Sequence, residues 1–326
     1  TYYAKWLNGS KTVRTQALDF TDATGTPAWQ TGCTQNGTVW TNAAQGWTWD
    51  TASKTLTLNN ATIDCSALTD CAYAVQLPNT AQMVLTDKTV NVIKSGTGDE
   101  KSVGSSSNNR NGSYAVKGTS SDPTDNFTIT GNGTLEAYSA NVNTSLSSGR
   151  SGALWGNFTV GDGTDSPTVT AQSGNVTADQ QAISTAIYGL TAKSGTVHAT
   201  AGNATTTTLD TTYAEAGSCG IQGIILLSGG DVTAVSGSTS LTSKHVNVSD
   251  GVGALMDMSG GSLNATSGTA KNAFGIERIV GTVSGGTIGA CGGTAGVDII
   301  QGQISNATLS GSTTYQAAEN TLGTVT

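Results

Sequence analysis

The feature that most constrains this chain is a pair of short motifs that alternate along it. The first is a glycine turn followed by an apolar residue and, two places on, an alanine. It reads Gly195-Thr196-Val197-His198-Ala199, Gly230-Asp231-Val232-Thr233-Ala234, Gly261-Ser262-Leu263-Asn264-Ala265 and Gly286-Thr287-Ile288-Gly289-Ala290. It extends back to Val169, Leu135 and Val90 and forward to Leu309. The second motif reads Ala153-Leu154-Trp155, Ala186-Ile187-Tyr188, Gly220-Ile221-Gln222, Ala254-Leu255-Met256, Gly275-Ile276-Glu277 and Gly296-Val297-Asp298, with earlier copies at Val116 and Val75. Units recur about 20 to 35 residues apart, the range of solenoid repeats.

Each apolar run is short and alternates with polar residues, which is the period of a β-strand. One repeat cannot bury its own apolar face, but stacked repeats bury a continuous core. The expected fold is therefore all-β, a right-handed parallel β-helix of about eight coils. Strands about 4.8 Å apart make that a rod roughly 40 Å long. An antiparallel sandwich competes, but it does not require like residues at the same place in each repeat. Two inward stacks are expected. One is Val90, Leu135, Val169, Val197, Val232, Leu263, Ile288 and Leu309; the other is Val75, Val116, Leu154, Ile187, Ile221, Leu255, Ile276 and Val297.

Segments near 95–113, 139–151, 172–183, 200–218 and 236–251 interrupt the repeat after the first motif. All leave at the same corner, so they should stack along one edge, and insertions on one face of a solenoid are often its binding face. Residues 1–54 differ from the rest and hold five of the six tryptophans. They suit an N-terminal cap over the exposed end of the stack; a separate sugar-binding module is the alternative. The repeat region is then 55–310, and 311–326 is a C-terminal cap or tether.

Residues 46–63 begin Gly46-Trp47-Thr48-Trp49-Asp50 and continue through Lys54-Thr55-Leu56-Thr57-Leu58. With the coils around Val197, Val232, Leu263 and Ile288, this resembles the carbohydrate-binding-domain-containing parallel β-helix surface proteins of Gram-positive anaerobic bacteria. The resemblance covers nearly everything after Gln45. It implies a secreted or cell-surface β-helix whose partner is a polysaccharide or a host glycan. The long insertions and extra cysteines depart from the regularity of that family.

The net charge of -8 repels nucleic acid backbones and anionic membranes, and no apolar run reaches membrane-spanning length. Neither nucleic acid nor direct membrane insertion is expected. The cysteines, Cys33, Cys65, Cys71, Cys219 and Cys291, lack zinc spacing. Cys65 and Cys71 are placed to close a small loop in an oxidising compartment. Cys219, two residues before Ile221, is expected in the core by alternation.

The two histidines, His198 and His245, lie far apart, and His198 shares an outward column with Glu136, Thr170, Thr233 and Asn264. No catalytic residue is assigned. Glu277 and Asp298 fall at equivalent positions of adjacent repeats, followed in the first by Arg278. They are read either as solvated acids or as a glycosidase pair. No cofactor is required, but Asp122, Asp125, Asp162 and Asp165 lie in two Asp-rich turns assigned to one corner of adjacent coils. They are read either as a calcium cage or as ordinary turn residues.

Strand parity turns the residue after each inward member outward. Trp155 and Tyr188 then stand side by side, with Lys117 below and Gln222 above, as a candidate ligand-binding strip on which sugar faces stack. Glu277 and Asp298 nearby favour a neutral or cationic ligand. The leading expectation is non-catalytic binding of carbohydrate or a host surface. A polysaccharide-cleaving enzyme on the same scaffold and a structural stalk are the alternatives. The mixed outward column argues against an ice-binding face.

Overall fold

The computed structural model describes residues 11–22, 27–100, 110–119, 124–207, 214–240, 246–311 and 315–316. Among the described residues there is no α-helix, and nearly all regular structure is β-strand in parallel, in-register stacks. A nine-stranded sheet collects the first motif from Thr62–Asp64 to Thr308–Gly311. Its inward column runs Leu135, Val169, Val197, Val232, Leu263, Ile288, Leu309, each paired with the next. Four of these strands follow a glycine of positive φ, and for a structural cause. Gly195, Gly230, Gly261 and Gly286 have φ of 83°, 78°, 81° and 90°. A Cβ on Gly230 would stand 2.7 Å from the Gly195 carbonyl oxygen, and one on Gly261 2.4 Å from that of Gly230. Left-handed backbone and close stacking both exclude a side chain.

The second motif lies in long strands of a second sheet, Arg110–Lys117, Ser148–Val160, Gln181–Ala192, Glu215–Leu227, Val246–Met258, Asn272–Ile279 and Ala295–Ile300. Residues of both sheets form one continuous apolar cluster, so the core lies between them.

Two expected core positions are corrected. Asn91, not Val90, pairs with Leu135; Val90 is only half-buried and pairs with Thr134. Buried Asn91 satisfies itself by accepting from the Ala61 N–H and donating to the Thr134 carbonyl. In the second stack Val252, not Leu255, pairs with Ile221 and Ile276. Leu255 is also buried, but it stacks on Ile225 and Ile279 further along the strand. Both Gly251-Val252 and Ala254-Leu255 fit a small-then-apolar pattern, so the pattern alone did not separate them.

Four of the five expected insertions stack along one edge, whereas in 95–113 Gly98–Glu100 pairs antiparallel with Arg110–Lys117. Val142–Asn143, Val176–Ala178, Ala204–Thr206 and Thr239–Ser240 make a four-stranded parallel sheet. It encloses a second small core of Val142, Val176, Ala178, Ala182, Ala204 and Ala216. Asparagines pin its entry: the Asn175 N–H donates to Asn141 Oδ1 and the Asn203 N–H to Asn175 Oδ1, each at 2.8 Å. Hydroxyl pairs close its base, Ser139 with Ser151, Ser173 with Ser184 and Ser236 with Ser249, each at 2.8 Å.

At the N-terminal end, Trp47–Asp50 pairs antiparallel with Thr55–Leu58 and with Val39–Asn42, while Leu18–Asp19 pairs parallel with Tyr73–Gln76. Trp29, Trp47 and Trp49 are buried in the main core, with Phe20 stacked 4.5 Å from Trp49. They offer no exposed sugar platform; Trp6 lies outside the described residues. In 311–326, Tyr315–Gln316 adds a parallel strand beside Ala295–Ile300.

Val232→Ala, in the middle of the inward column, should cost about 1–3 kcal/mol through lost burial and a cavity. Val90→Ala should cost less than about 1 kcal/mol, as expected away from the core. Urea unfolding of both variants measures the difference.

Candidate functional site

Each long strand bends where two consecutive residues face the core. Ala115 and Val116, Ala153 and Leu154, and Ala186 and Ile187 are all buried in the main cluster. Two inward residues in a row break the alternation, so the strand turns a corner and its outer face becomes concave. The column nearest the corner is Tyr114, Gly152, Thr185, Cys219, Asp250 and Phe274. On the far arm stand Lys117, Trp155, Tyr188, Gln222, Gly253 and Glu277, each one residue past an inward member.

In the earlier repeats this corner is filled. Trp155 is on the outward side by parity, yet it is 3% exposed. Gly152 leaves the space that Trp155 covers, since a Cβ there would lie 2.7 Å from the indole. The Trp155 ring lies 5.1 Å from Tyr114 and 5.5 Å from Tyr188, with the Arg150 guanidinium 5.7 Å above it. Lys117 is buried with its ammonium 4.9 Å over the Tyr114 ring. The expected strip is therefore one contiguous group at Lys117, Trp155 and Tyr188, but it is corrected from an exposed platform to packed side chains. Tyr188 is half-buried, and Gln222 is exposed at the edge of the open part of the corner.

That open part is a cavity of about 300 Å³, lined among others by Thr185, Cys219, Gln222, Asp250, Gly253 and Glu277. It exists because the far arm carries glycine where Met256 had been expected. A Cβ on Gly253 would stand 2.2 Å from the Gln222 carbonyl oxygen, so no side chain fits there to fill the corner. The Thr185 hydroxyl donates to Gln222 Oε1 at 2.9 Å. Cys219 is corrected from a core residue to a cavity-lining one, because the corner at Gly220 ends the alternation. Burial pushes its thiol well above the ordinary range, and Asp250 adds to this.

Asp250 is the residue the sequence reading missed. It is 5% exposed, and its Oδ1 has no hydrogen-bond partner. Burial, then Glu277 and Asp298, push its carboxyl up to about 8, with Arg278 opposing. Glu277 is also raised, by burial and then by Asp298 against the opposition of Arg278, whose Nε lies 3.4 Å from Glu277 Oε1. Ile276 pairs with Val297, which sets Glu277 and Asp298 on adjacent strands as expected. Ser249 supplied the missing signal. It continues the Ser113, Ser151, Ser184, Ser218 column, which fixes the register through Val252 and puts Asp250 at the corner.

The two Asp-rich turns do not share a corner. Asn126 pairs with Asn157, so the turn holding Asp125 corresponds to Gly156, whereas Asp162 and Asp165 follow Val160, the partner of Ile129. Asp162 accepts the Thr164 and Asp165 N–H groups, and Asp165 accepts the Gly131 N–H at 2.8 Å. Asp125 is buried, with the Thr119 hydroxyl 3.4 Å away. Asp122 lies outside the described residues, as does His245. Among the described residues no three His, Cys, Asp or Glu side chains converge on a metal position. His198 is exposed in its expected column. Cys65 and Cys71 are reduced neighbours; their mutual hydrogen bond raises Cys65 and lowers Cys71. No family model matches the chain, nor does any curated protein or solved structure.

Two outcomes follow from burial. Trp155→Ala should destabilise the fold by about 3–5 kcal/mol, measurable by urea unfolding. Asp250 has a folded pKa near 8 and an unfolded one of about 3.9. The folded state therefore binds more protons between those values, so stability falls as pH rises from about 4 to 8 and is flat below that window. Asp250→Asn should remove a penalty on the order of a few kcal/mol near pH 8 and flatten the slope. Unfolding midpoints that decline equally in both proteins would refute the assignment.

Proposed function

We propose that the protein is a secreted or cell-surface right-handed parallel β-helix that binds carbohydrate without catalysis, and that its ligand enters the corner cavity between Gln222 and Glu277. In-register parallel stacking over successive repeats supports the β-helix reading. The observation that carries the binding reading is the cavity itself. It is concave, about 300 Å³, and combines the polar Thr185, Gln222, Asp250, Glu277 and Arg278 with the apolar Ile183, Val246 and Val248. Sugar sites need that mixture, because hydroxyls want hydrogen-bond partners and ring faces want apolar contact. The burial of Trp155 favours the cavity over the aromatic strip as the contact surface.

Hydrolysis of a glycosidic bond is the second reading. One observation favours it: a carboxyl that keeps its proton at neutral pH beside other acids is the arrangement of a general acid. An assay for released reducing ends separates enzyme from binder.

A glycan array probed with the purified chain should retain a restricted set of glycans. Gln222→Ala and Glu277→Ala, both at half-buried or exposed positions, should lower retention roughly tenfold or more. Glu277→Ala should leave the unfolding midpoint nearly unchanged, while Gln222→Ala costs about 1–3 kcal/mol because buried Thr185 loses its acceptor. Retention unaffected by both substitutions would place the binding surface elsewhere.

A further inference from the structure

We propose that the corner cavity takes an ammonium-bearing sugar, an amino sugar with its nitrogen unsubstituted, and that Asp250 and Glu277 receive the ammonium. This rests on the carbohydrate reading above and adds the charge of the ligand. The cavity lining contains three carboxylates, Glu215, Asp250 and Glu277, and one cation, Arg278. Arg278 is already placed against Glu277. Glu215 is already served by the Gln181 amide at 2.7 Å. The Thr185 hydroxyl is spent on Gln222, and the Ser218 hydroxyl on the Gly202 carbonyl. Among the buried side-chain polar atoms of the lining, the one without a partner is Oδ1 of Asp250, an acceptor once the carboxyl is ionised.

A buried polar atom without a partner is costly. A group that donates hydrogen bonds and carries positive charge answers both the missing bond and the surplus of acids. An ammonium has three donors and no acceptor. It needs two or three oxygens, whereas calcium takes six to eight, and no cation cage of three or more ligands exists among the described residues. Nearby apolar side chains, Ile183, Val246 and Val248, suit the carbon face of a sugar ring rather than a bare ion. The corner also changes sign along its length. Lys117 and Arg150 occupy it in the earlier repeats and Asp250 and Glu277 in the later ones. A polymer of amino sugars lying in the corner would therefore seat its nitrogen at the acidic end.

Near neutral pH Asp250 carries a proton. Arrival of the ammonium favours the carboxylate, so the carboxyl O–H bond breaks, its electrons stay on oxygen, and the proton leaves to buffer. Binding of a neutral sugar to the protonated carboxyl releases none.

The test is isothermal titration of the full chain at about pH 5.5, where a weakly basic amino-sugar amine is charged and Asp250 still carries its proton, in two buffers of different ionisation heat. The probes are the tetramer of glucosamine, the tetramer of N-acetylglucosamine, and putrescine as a diamine without a sugar. The glucosamine tetramer should bind at least roughly tenfold more tightly than its acetylated counterpart, with proton release and a marked loss of affinity at high salt. Asp250→Asn should weaken binding roughly 10- to 100-fold, the worth of a hydrogen bond to a charged group, and abolish the proton release. Glu277→Gln, at a half-buried position, is the second variant if Asp250→Asn does not fold. Equal affinity for the two tetramers, binding without proton release, or an unaffected variant would overturn the proposal. Binding of the acetylated tetramer alone keeps the carbohydrate reading and overturns this one. Binding of putrescine with proton release, but of neither tetramer, keeps the ammonium and overturns the sugar. If no probe binds, the ammonium site is overturned.

Discussion

The serine column between the two cores holds the rest of the molecule in place. Ser113, Ser151, Ser184, Ser218 and Ser249 are all buried and stand at one strand position of successive repeats. Each hydroxyl joins its own repeat to the next. The Ser151 hydroxyl donates to the Ala140 carbonyl and accepts the Gly174 N–H; Ser184 does the same with Gly174 and Gly202, and Ser249 with Gly237 and Gly268. A hydroxyl both donates and accepts, so a column of them can run between apolar layers without leaving a buried polar atom alone. A larger or apolar residue at these places would orphan several backbone groups at once.

That column also decides where the corner falls. The serine side chains are tied to the base of the stacked insertions, and the next two residues must both reach the main core. The strand accommodates this only by bending. Bending gives every repeat a concave outer corner, and what that corner becomes depends on side-chain volume. Tyr114, Trp155 and Tyr188 close it early in the chain; Thr185, Cys219, Asp250 and Gly253 leave it open later. One backbone device thus yields a packed aromatic block and an acidic cavity within a few repeats.

The cavity is costly to the fold and is compensated elsewhere. A buried carboxyl without a partner opposes folding at neutral pH, while the two long stacks of branched side chains supply the burial that tolerates it. The glycine at 253 serves the same end, since it keeps the far arm close to the preceding strand and empties the corner. Local cost of this kind, set in a concavity, marks a candidate functional site.

The repeat was legible because stacking makes it a requirement of sequence. Leu135 through Leu309 must be apolar in register, and Gly195, Gly230, Gly261 and Gly286 must lack a Cβ, so both are written in the chain. The stacking of the insertions was legible for the same reason. The register of Val252 against Leu255 was not, since both are buried and both follow a small residue; only pairing with Ile221 and Ile276 separates them. Asn91 in place of Val90 was hidden likewise, because a polar residue is admitted to the core only where tertiary neighbours satisfy it. The sequence alone determined that residues alternate within each strand, for parity is local to the backbone, but not where a corner resets the alternation, which misplaced Cys219. Exposure is not local. Trp155 faces outward and is buried, and Asp250 lies in a polar-looking stretch and is buried, because the bend that encloses both exists only once the repeats are stacked.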